Sequence, residues 1–582
     1  MRHPSWHFVW FALRFSLGCA LLSALGAAPA AAQTTKPLVR VQLHWTHQAQ
    51  FAGYYVAKEL GFYQRAGIEV EFAPGGVYVD PMTVLGLGGA DVAVGWLSGA
   101  ISARRAGVDV VNIAQVFKRP AMRLVCRRSS GISDPSDIKG KTIGVWNIGD
   151  QYNVIDWLRR QNRSAADVEI VQQAGDAADL LDRTVDCATA MSYNEYVTIL
   201  NAGIPPSDLL IVSFASDGVS LLEDGLYAQA EALKDASKRD RIARFLKASA
   251  EGWRYASQQR DEAITITKLY APLADSTRQR TMLDTILPLI DLDERFGLLN
   301  LGDFERSTEI IGTGVKDLHG IAKAAHHGWT HRIWYAAEPE RSRRNLLAAG
   351  VQHELRKIVD STWFYVFVLA GITTYAVWGF MQAHSLRYDL WGAFLLTFLP
   401  ALGGGIMRDL LVGGERQPLA ILTDPAPVTI VLIVVVLGTM VTRLLPPAAL
   451  QSKAYADTMT LADAFGFATL TVWGANVALV AGLSWFWVPI CSAITCAGGG
   501  ILLTTVTAQR PSTLQGEPYE EVAVAGGLFM LGGLLIANQF EHSPWIVTAT
   551  IFATLIGVFA TRLAAVHYGW RSYRLGLQRK AA

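Results

Sequence analysis

Two patterns of apolar residues divide the chain near residue 360. Between Lys36 and about Asn300, short β-rich runs are followed by stretches with apolar residues at helical spacing. A repeated strand–helix order predicts an α/β fold with mostly parallel strands, and about 270 residues suffice for two lobes around a cleft. The predicted strands include LVRVQLHW (38–45), IEVEF (68–72), DVAVGW (91–96) and TIGVW (142–146).

After Ser361 the chain consists mainly of long apolar segments. Seven of them are long enough to cross a bilayer as helices: 362–382, 390–411, 426–446, 459–481, 485–507, 521–541 and 545–567. The sequence therefore predicts a multidomain protein whose parts follow one another in this order: a two-lobed α/β domain (36–320), a linker or membrane-proximal helix (321–360), an all-α membrane domain (361–570) and a basic tail (571–582).

The first 32 residues have the form of a cleaved secretory signal. An apolar run through Leu17–Leu25 ends in small residues, and Ala30-Ala31-Ala32 offers a cleavage site before Gln33. A first transmembrane helix is the alternative, but the apolar core is short for one. With a cleaved signal, the α/β domain is expected in the periplasm of a bacterial inner membrane, and seven spans put the C-terminus in the cytoplasm. The basic tail agrees with that orientation.

Composition and charge narrow the function classes. Hydrophobic residues make up 51% of the chain and charged residues 17%, which suits a soluble domain joined to a membrane domain. The formal net charge of +1 gives no support to a nucleic-acid partner. Cys126 and Cys187 are either a disulfide or two buried thiols. His327 and His331, four residues apart beside His326, could share a metal on a helix, but a solvated helix face is the alternative. We predict no metal and no cofactor.

The membrane half repeats itself at a constant offset. Val377-Trp378-Gly379 recurs as Val472-Trp473-Gly474, and Gly403-Gly404-Gly405 recurs as Gly498-Gly499-Gly500, both 95 residues later. Each copy holds three spans, and an odd number predicts that the second copy is inverted relative to the first. Pro400 precedes the first glycine triplet and favours a broken helix there. Paired breaks would face a polar pathway, and close helix packing at glycine is the alternative.

The stretch GGGIMRDLLVG (403–413) resembles the bacterial membrane family related to TRIC cation channels and glycine transporters. The resemblance covers about 360–570 and implies seven spans, two inverted three-helix repeats and a homo-oligomer, a trimer among TRIC channels. It also implies glycine kinks beside a pore, with Arg408-Asp409 as a charged pair, and monovalent cations or a small solute as the permeant species. The second copy departs from the family pattern, because Leu503 and Thr504 stand where Arg and Asp are expected.

The N-terminal half resembles a second family, through VQLHWTHQAQFAGYYVAKELGFYQRAGIEVEFAPGG (41–76), MSYNEY (191–196) and EDGLYA (223–228). That substrate-binding family includes periplasmic thiamine-pyrimidine carriers and fungal pyrimidine synthases, and the resemblance spans about 38–320. It implies a solute-binding protein for a heteroaromatic or small amine-bearing ligand, with an ABC permease and ATPase possible on other chains.

Flat heteroaromatic ligands need aromatic faces and a few edge groups that form hydrogen bonds. Aromatic residues at predicted strand ends or at the start of the first helix, and polar groups near them, are the candidates. Glu195 could pair with an amino or ring N–H group. The predicted ligand-binding residues are Trp45, Gln50, Tyr54, Trp96, Trp146, Asn194 and Glu195.

The residue at one position argues against an enzyme. The synthases of the resembling family consume a histidine two residues before the glycine that opens the first helix, and this position is Phe51 here. Their cysteine-rich run is also absent from the sequence, and His44 and His47 are out of register. We therefore predict a transport protein that is not an enzyme. The alternatives are a ligand-gated cation channel or sensor, and a binding protein anchored by a non-conducting membrane domain.

Overall fold

The computed structural model describes residues 36–146, 149–293, 295–315, 317–338, 346–412, 424–444, 446, 452–507, 518–540 and 543–572. The predicted signal segment, the basic stretch of the linker at 341–344 and the tail beyond residue 572 lie outside the described residues.

Ten strands in the described residues form two five-stranded sheets. They are β1 (Leu38–Gln42), β2 (Glu69–Ala73), β3 (Val92–Gly95), β4 (Val110–Gln115), β5 (Met122–Arg127), β6 (Thr142–Val145), β7 (Glu169–Gln172), β8 (Cys187–Met191), β9 (Leu209–Ser213) and β10 (Gly225–Gln229). The strand orders are β2-β1-β3-β10-β4 in the first sheet and β7-β6-β8-β5-β9 in the second.

The chain passes between the two sheets twice, through residues 116–121 and 214–224. The strand that follows each crossing, β5 or β10, runs antiparallel to both its neighbours, while the other four strands of each sheet are parallel. Two sheets joined by two crossings make a two-lobed domain, so the predicted fold is confirmed. The second lobe is the uninterrupted segment 122–213.

Helices cover the sheets, as parallel strands require. In the α/β domain they are α1 (Ala52–Glu59), α2 (Phe62–Arg65), α3 (Pro81–Gly86), α4 (Leu97–Arg105), α5 (Gln151–Arg160), α6 (Ala178–Leu181), α7 (Glu195–Asn201), α8 (Ala236–Gln258), α9 (Arg260–Tyr270), α10 (Ser276–Ile286), α11 (Leu301–Thr313), α12 (Leu318–Ala325) and α13 (Arg332–Ala337). Several begin at an aspartate or asparagine whose side chain accepts backbone N–H groups, as Asp235 does for α8 and Asn300 for α11.

The core of the α/β domain continues beyond the predicted boundary at residue 320. Ile333, Trp334 and Ala337 of α13 belong to the same buried cluster as the residues of β1 and α8. The indole N–H of Trp334 donates to the carbonyl of Phe296 at 2.9 Å, which fixes α13 to the domain. The next helix, α14 (Ala349–Val359), instead shares a core with the membrane helices.

Cys126 and Cys187 lie opposite each other on β5 and β8 and are joined by a disulfide. The bond closes a sequence separation of 61 residues within the second lobe. Of the two alternatives that the sequence left open, the structure therefore has the disulfide.

Seven helices among the described residues are long and apolar enough to cross a membrane, in agreement with the prediction. Their bounds follow the apolar segments closely, because hydrophobic length is a strong signal. They are α15 (Thr362–Ser385), α16 (Leu390–Val412), α17 (Ala426–Leu444), α18 (Lys453–Val480), α19 (Trp487–Val506), α20 (Tyr519–Ala537) and α21 (Pro544–His567).

The two glycine triplets are not equally distorted. Leu399–Gly403 forms a π-helical segment inside α16, whereas Gly498–Gly500 lies in an uninterrupted α-helix. The expectation of matching broken helices is therefore wrong for the second copy. The position that corresponds to Pro400 is Thr495. Proline lacks the N–H that a regular α-helix needs, and Thr495 does not disturb the helix.

The glycines of the two copies nevertheless make matching contacts. A Cβ on Gly404 would lie 2.4 Å from the carbonyl oxygen of Thr495, and one on Gly499 would lie 2.4 Å from that of Leu399. Gly379 and Gly474 likewise lie against the carbonyl oxygens of Leu396 and Cys491. Gly474 and Cys491 stand 95 residues after Gly379 and Leu396, so the two copies make this contact at corresponding positions. That the second copy is inverted stays a prediction.

Helix α14 lies between the two halves. Its N-terminal region is held on the membrane side by Asn538, whose side chain accepts the N–H of Ala348 at 2.8 Å and donates to the carbonyl of Leu346 at 3.1 Å. On the other side, Lys357 pairs with Glu305 of α11 at 3.0 Å. Contacts on both sides make α14 the structural link between the α/β domain and the membrane helices.

Candidate solute site and membrane cavity

Six of the seven predicted ligand-binding residues line one small cavity between the lobes. Trp45 and Gln50 follow β1, Trp96 follows β3 and Trp146 follows β6, while Asn194 and Glu195 follow β8. Carboxyl ends of parallel strands meet at one edge of a sheet, which is where ligands bind in such folds. Both lobes therefore contribute to the site through their strand ends.

Three indole rings form the apolar wall. The ring centroids of Trp45 and Trp146 are 6.1 Å apart and those of Trp96 and Trp146 are 6.4 Å apart, with interplanar angles of 61° and 57°. The indole N–H of Trp146 donates to the carbonyl of Ala174 at 2.9 Å, which fixes that ring. Rings that are inclined to one another can contact a flat ligand in two ways: one ring stacks on its face and another meets its edge.

Glu195 is the main titratable group of the wall contributed by the second lobe. It is 3% exposed, accepts the N–H of Met191 at 3.0 Å, and also accepts a hydrogen bond from the amide of Asn194. The guanidinium of Arg278 donates to Asn194 at 2.8 Å and so orients that amide. Burial raises the pKa of Glu195 to about 7, although its hydrogen bonds act in the opposite direction. A carboxyl of this kind can accept or donate a hydrogen bond near neutral pH.

A second buried carboxyl, that of Asp224, holds two of the side chains that line the cavity. Asp224 accepts hydrogen bonds from Gln50 at 2.7 Å and from the indole N–H of Trp96 at 3.1 Å. Burial raises the pKa of Asp224 to about 6. Its neighbour Glu223, whose pKa burial raises to about 8, accepts the N–H groups of Ala121 and Met122. These two residues join the crossing segments of the chain to the ligand-binding side chains.

His44 also lines the cavity, although sequence reasoning set it aside. Its ring centroid lies 4.6 Å from that of Trp96, and the side chain is buried. Neither ring nitrogen has a hydrogen-bond partner among the described residues. Burial lowers the pKa of His44 to about 4, so the ring is neutral at pH 7 and offers one donor and one acceptor. Its place at the end of the predicted first strand, beside Trp45, was the signal that could have found it.

Tyr54 is the predicted site residue that the structure does not bring to the cavity. It is 2% exposed and packs in the core, stacked on Phe245 and edge-on to Trp253. Side chains in the first turn of a helix that lies against a sheet point in several directions. The side chain of Tyr54 points toward α8, which covers it.

The cavity is narrow, with a volume of about 20 Å³, roughly the space of one or two water molecules. The lobes meet near its mouth, where Val77 of the first lobe lies close to Gly175 of the second, beside Trp45. A flat ring can therefore enter only after the lobes separate, and the two crossing segments are the connections about which they can turn.

The membrane half contains a second cavity, of about 120 Å³. Arg408 and Asp409 lie in its wall, almost fully buried, and pair through Arg408 Nη2 and Asp409 Oδ1 at 2.7 Å. The Arg408 guanidinium lies 4.7 Å from the ring centre of Trp473, and its Nη1 reaches the hydroxyl of Thr495 at 3.4 Å. Of the predicted pore glycines, Gly405 also lines this cavity. The charge pair is thus enclosed by protein on α16, α18 and α19.

A further buried ion pair was not found from the sequence. Arg562 of α21 binds Asp463 of α18 at 2.9 Å, and the hydroxyl of Tyr519 donates to the same carboxylate. The ring of Tyr519 also lies 3.7 Å from the Arg562 guanidinium. The partners are 99 residues apart, but a charged residue inside each of two long apolar segments was the available signal.

The three histidines considered for a metal do not share a helix. Helix α12 ends at Ala325, and His327 has a left-handed backbone with φ of 58°. His331 precedes α13, is buried, and its Nε2 lies 3.1 Å from the carbonyl oxygen of Leu299. The helix-borne metal site is therefore wrong, because the chain turns between the histidines. His326 and His327 are exposed, as the alternative expected, but the three histidines do not share a helix face.

An α/β cleft lined by tryptophans, joined to seven membrane helices, defines a solute-binding protein fused to a membrane domain. Residues 48–263 match the family described as NMT1/THI5 like, and residues 365–443 and 460–534 match the family described as glycine transporter. The chain belongs to the NMT1/THI5-like family through its N-terminal half, and its membrane half is similar to the glycine transporter family.

Three curated relatives illustrate the two halves. The riboflavin-binding protein RibY of Chloroflexus aurantiacus is 30% identical over 288 residues, which are 47% of this chain and 79% of RibY. A UPF0126 membrane protein of Vibrio cholerae is 28% identical over 214 residues, which are 36% of this chain and 82% of that protein. A 4-amino-5-hydroxymethyl-2-methylpyrimidine phosphate synthase of Legionella pneumophila is 29% identical over 114 residues, but the match covers only 36% of the synthase.

Solved structures similar to each half are also known. The aliphatic sulphonate binding protein SsuA of Escherichia coli is 16% identical, with a TM-score of 0.37, over 47% of this chain and 85% of SsuA. A TRIC trimeric intracellular cation channel orthologue from Rhodobacter sphaeroides is 24% identical, with a TM-score of 0.31, over 36% of this chain and 100% of that protein.

Proposed function

We propose that the protein captures a flat heteroaromatic solute in the cleft between its lobes and delivers it to the membrane domain for transport. The observation that carries the proposal is the cavity lined by Trp45, Trp96 and Trp146, with the carboxyl of Glu195 and the ring of His44 at its edges. This combination of apolar faces and few polar edge groups suits a conjugated ring with N–H and ring-nitrogen positions.

The ligand class follows from the wall and from the relatives. Riboflavin and the thiamine pyrimidine both carry nitrogen-rich flat rings, and proteins named for them share sequence with the N-terminal half. We propose a pyrimidine-type or flavin-type ring, or a small amine, as the solute. No enzymatic step is part of the proposal, since Phe51 occupies the position of the histidine that the resembling synthases consume.

The membrane domain is proposed as the transport path, with the Arg408–Asp409 cavity on it. A buried, mutually neutralising ion pair on a membrane helix is expensive to keep unless it serves a pathway. Tethering places the loaded cleft close to that pathway, which raises its effective concentration there to the order of millimolar. A homotrimer in the lipid bilayer is part of the proposal, as the resemblance to TRIC channels implies.

A ligand-gated cation channel is the second candidate. Helix α14 contacts the α/β domain, and Val359 at its C-terminal end lines the membrane cavity. A change in the lobes could thus alter the cavity without passage of the solute. The third candidate, an anchored binding protein that serves an ABC permease on other chains, rests on Leu503 and Thr504 in place of a second Arg–Asp pair.

We propose the bacterial inner membrane as the location, with the α/β domain in the periplasm and the C-terminus in the cytoplasm. The Cys126–Cys187 disulfide supports this side, because structural disulfides persist in oxidising compartments. Because both cysteines are buried, cells are quenched with acid and the denatured protein is treated with a thiol-reactive label, which should leave these two cysteines unmodified unless a reductant is added first. Labelling without reductant would contradict a periplasmic disulfide.

The binding proposal is tested with the full-length protein in detergent. Riboflavin, thiamine pyrimidine and a panel of amino acids are titrated while the melting temperature is followed. A ring compound should raise it by several degrees, and Trp146→Ala should remove the rise. Equal responses of the wild-type protein to all compounds, or none at all, would reject the cleft as a heteroaromatic site.

Transport is tested in liposomes with the ring compound found in the titration. Solute uptake without current supports transport, and cation current that depends on the ring compound supports the gated channel. Vesicles that are tight to both support the anchored binding protein.

A further inference from the structure

We propose that a divalent transition-metal ion binds between α11 and α14, held by Glu305, His353 and Glu354. The carboxylate oxygen of Glu305 lies 3.2 Å from Nε2 of His353. One ligand atom from each of the three residues lies within 4.8 Å of the other two. Small movements of these side chains would bring all three atoms to coordination distance from one ion, about 2.0–2.2 Å for Zn²⁺.

The two helices supply these ligands from opposite sides of the junction. Glu305 lies on the first turns of α11, which belongs to the α/β domain, whereas His353 and Glu354 lie in the middle of α14. Gly302, one turn before Glu305, lies beside the ring of His353 and permits the close approach of the helices. The site therefore bridges the solute-binding half and the membrane-proximal helix.

The surroundings leave room for an ion and a further ligand. The three residues line a cavity of about 150 Å³ at the junction, whose wall also includes His326 and His327 and the ends of two membrane helices. His353 Nε2 is buried and has no hydrogen-bond partner by geometry among the described residues, although it lies beside the Glu305 carboxylate. An imidazole with two carboxylates and an open position is a typical donor set for Zn²⁺ and its neighbours, and unsuited to Mg²⁺.

Lys357 provides the competing explanation. Its ammonium group lies 3.0 Å from the other carboxylate oxygen of Glu305 and 3.9 Å from Glu354, so the cluster could be an ion-pair network alone. In the metal site, Lys357 would instead bind the carboxylate oxygens that do not contact the ion. Groups that hydrogen-bond to metal ligands commonly orient them in this way. The two explanations differ in whether the cluster takes up metal at all.

The test uses the tag-free full-length protein in detergent. Zn²⁺ affinity and stoichiometry are measured by competition with a chromogenic chelator, and Co²⁺ absorption reports the ligand geometry. The variants are Glu305→Gln, His353→Ala and Glu354→Gln, with His319→Ala as the matched control, since His319 is exposed on α12 outside the cluster. Thermal melting shows whether each variant is folded, and the near-isosteric Gln variants guard against a packing defect.

The wild-type protein and His319→Ala should bind one Zn²⁺ per chain with equal affinity. Each of the three cluster variants should weaken that affinity at least tenfold and change the Co²⁺ spectrum. Absence of Zn²⁺ binding by the wild-type protein at micromolar concentration would overturn the site. Unchanged affinity in folded Glu305→Gln and His353→Ala proteins would overturn it equally. Because no solute or transport enters the measurement, the result is independent of the proposed function.

Discussion

The cleft and the membrane cavity both enclose buried charged groups beside tryptophan, but they arrange them differently. In the cleft, Glu195 has hydrogen bonds yet no direct cation, and its pKa is raised. In the membrane cavity, Arg408 pairs with the next residue, Asp409, and its guanidinium lies against Trp473. The cleft thus leaves hydrogen-bonding capacity for a ligand, whereas the membrane pair satisfies itself.

The largest expected effect is at the membrane pair. Arg408→Ala should destabilise the protein by about 3–5 kcal/mol, because it leaves Asp409 buried without its partner. Denaturant unfolding in detergent measures the change. The double variant Arg408→Leu/Asp409→Leu should be much less destabilised, since no unpaired charge remains. Equal losses in the single and double variants would show that the pairing does not matter.

The same pair should matter for transport more than its counterpart in the second copy. Arg408→Ala should lower flux in liposomes strongly, and Leu503→Arg should not raise it. Similar, negligible effects of both variants would remove the pair from the pathway. This comparison also tests whether the two copies have separate roles.

At the cleft, we expect the stability of the protein to depend on pH through Glu195. Because burial raises the pKa of Glu195 from 4.5 to about 7, its contribution to stability is fully present below pH 4.5 and is lost as the pH rises through 7. The shift corresponds to at most about 3 kcal/mol. Glu195→Gln should therefore lose less stability than the wild-type protein between pH 5 and pH 8, measured by thermal melting. A parallel decline in both proteins would exclude Glu195 as the source.

His44 should cause a loss of stability at acid pH. Its pKa is lowered to about 4, so its contribution is present above pH 6.5 and is lost as the pH falls through 4. His44→Gln should flatten the decline of stability between pH 6.5 and pH 4. The wild-type and variant curves should coincide above pH 7.

Close packing around the membrane cavity is tested by two neighbouring glycines. A Cβ on Gly404 would lie 2.4 Å from a backbone oxygen, whereas one on Gly405 meets only the flexible end of Arg408 at 3.7 Å. Gly404→Ala should cost about 1–3 kcal/mol through overpacking, and Gly405→Ala should cost almost nothing. Equal melting temperatures of the two variants would contradict the observed helix approach.

The smallest effect is expected at the tryptophan of the membrane cavity. Trp473→Phe weakens the contact with the Arg408 guanidinium and should cost about 0.5–1 kcal/mol. Trp378→Phe, the corresponding position of the first copy, is the matched control. A larger loss of stability in Trp378→Phe than in Trp473→Phe would show that the contact between Trp473 and Arg408 is not the source of the effect.

Much of the fold and part of the site could be predicted because their signals are local. Long apolar segments defined the seven helices, and tryptophans at strand ends defined the cleft wall. Tyr54 was misplaced because residues at the start of a helix can turn toward the core or the cleft, and only the packing of α8 decides. The Asp463–Arg562 pair depends on helices that meet far apart in sequence. Thr495 at the position corresponding to Pro400 could have predicted the straight second helix.

Helix α11 connects the second lobe, a crossing segment and α14. Near its C-terminal end, Thr313 contacts Asp156 of the second lobe, and Ser307 at its centre receives the N–H of Leu222 from a crossing segment. Near its N-terminal end, Glu305 meets α14. A helix of 13 residues is about 20 Å long. A tilt of about 10° about Ser307 would therefore move each end of the helix by about 1.5 Å, in opposite directions.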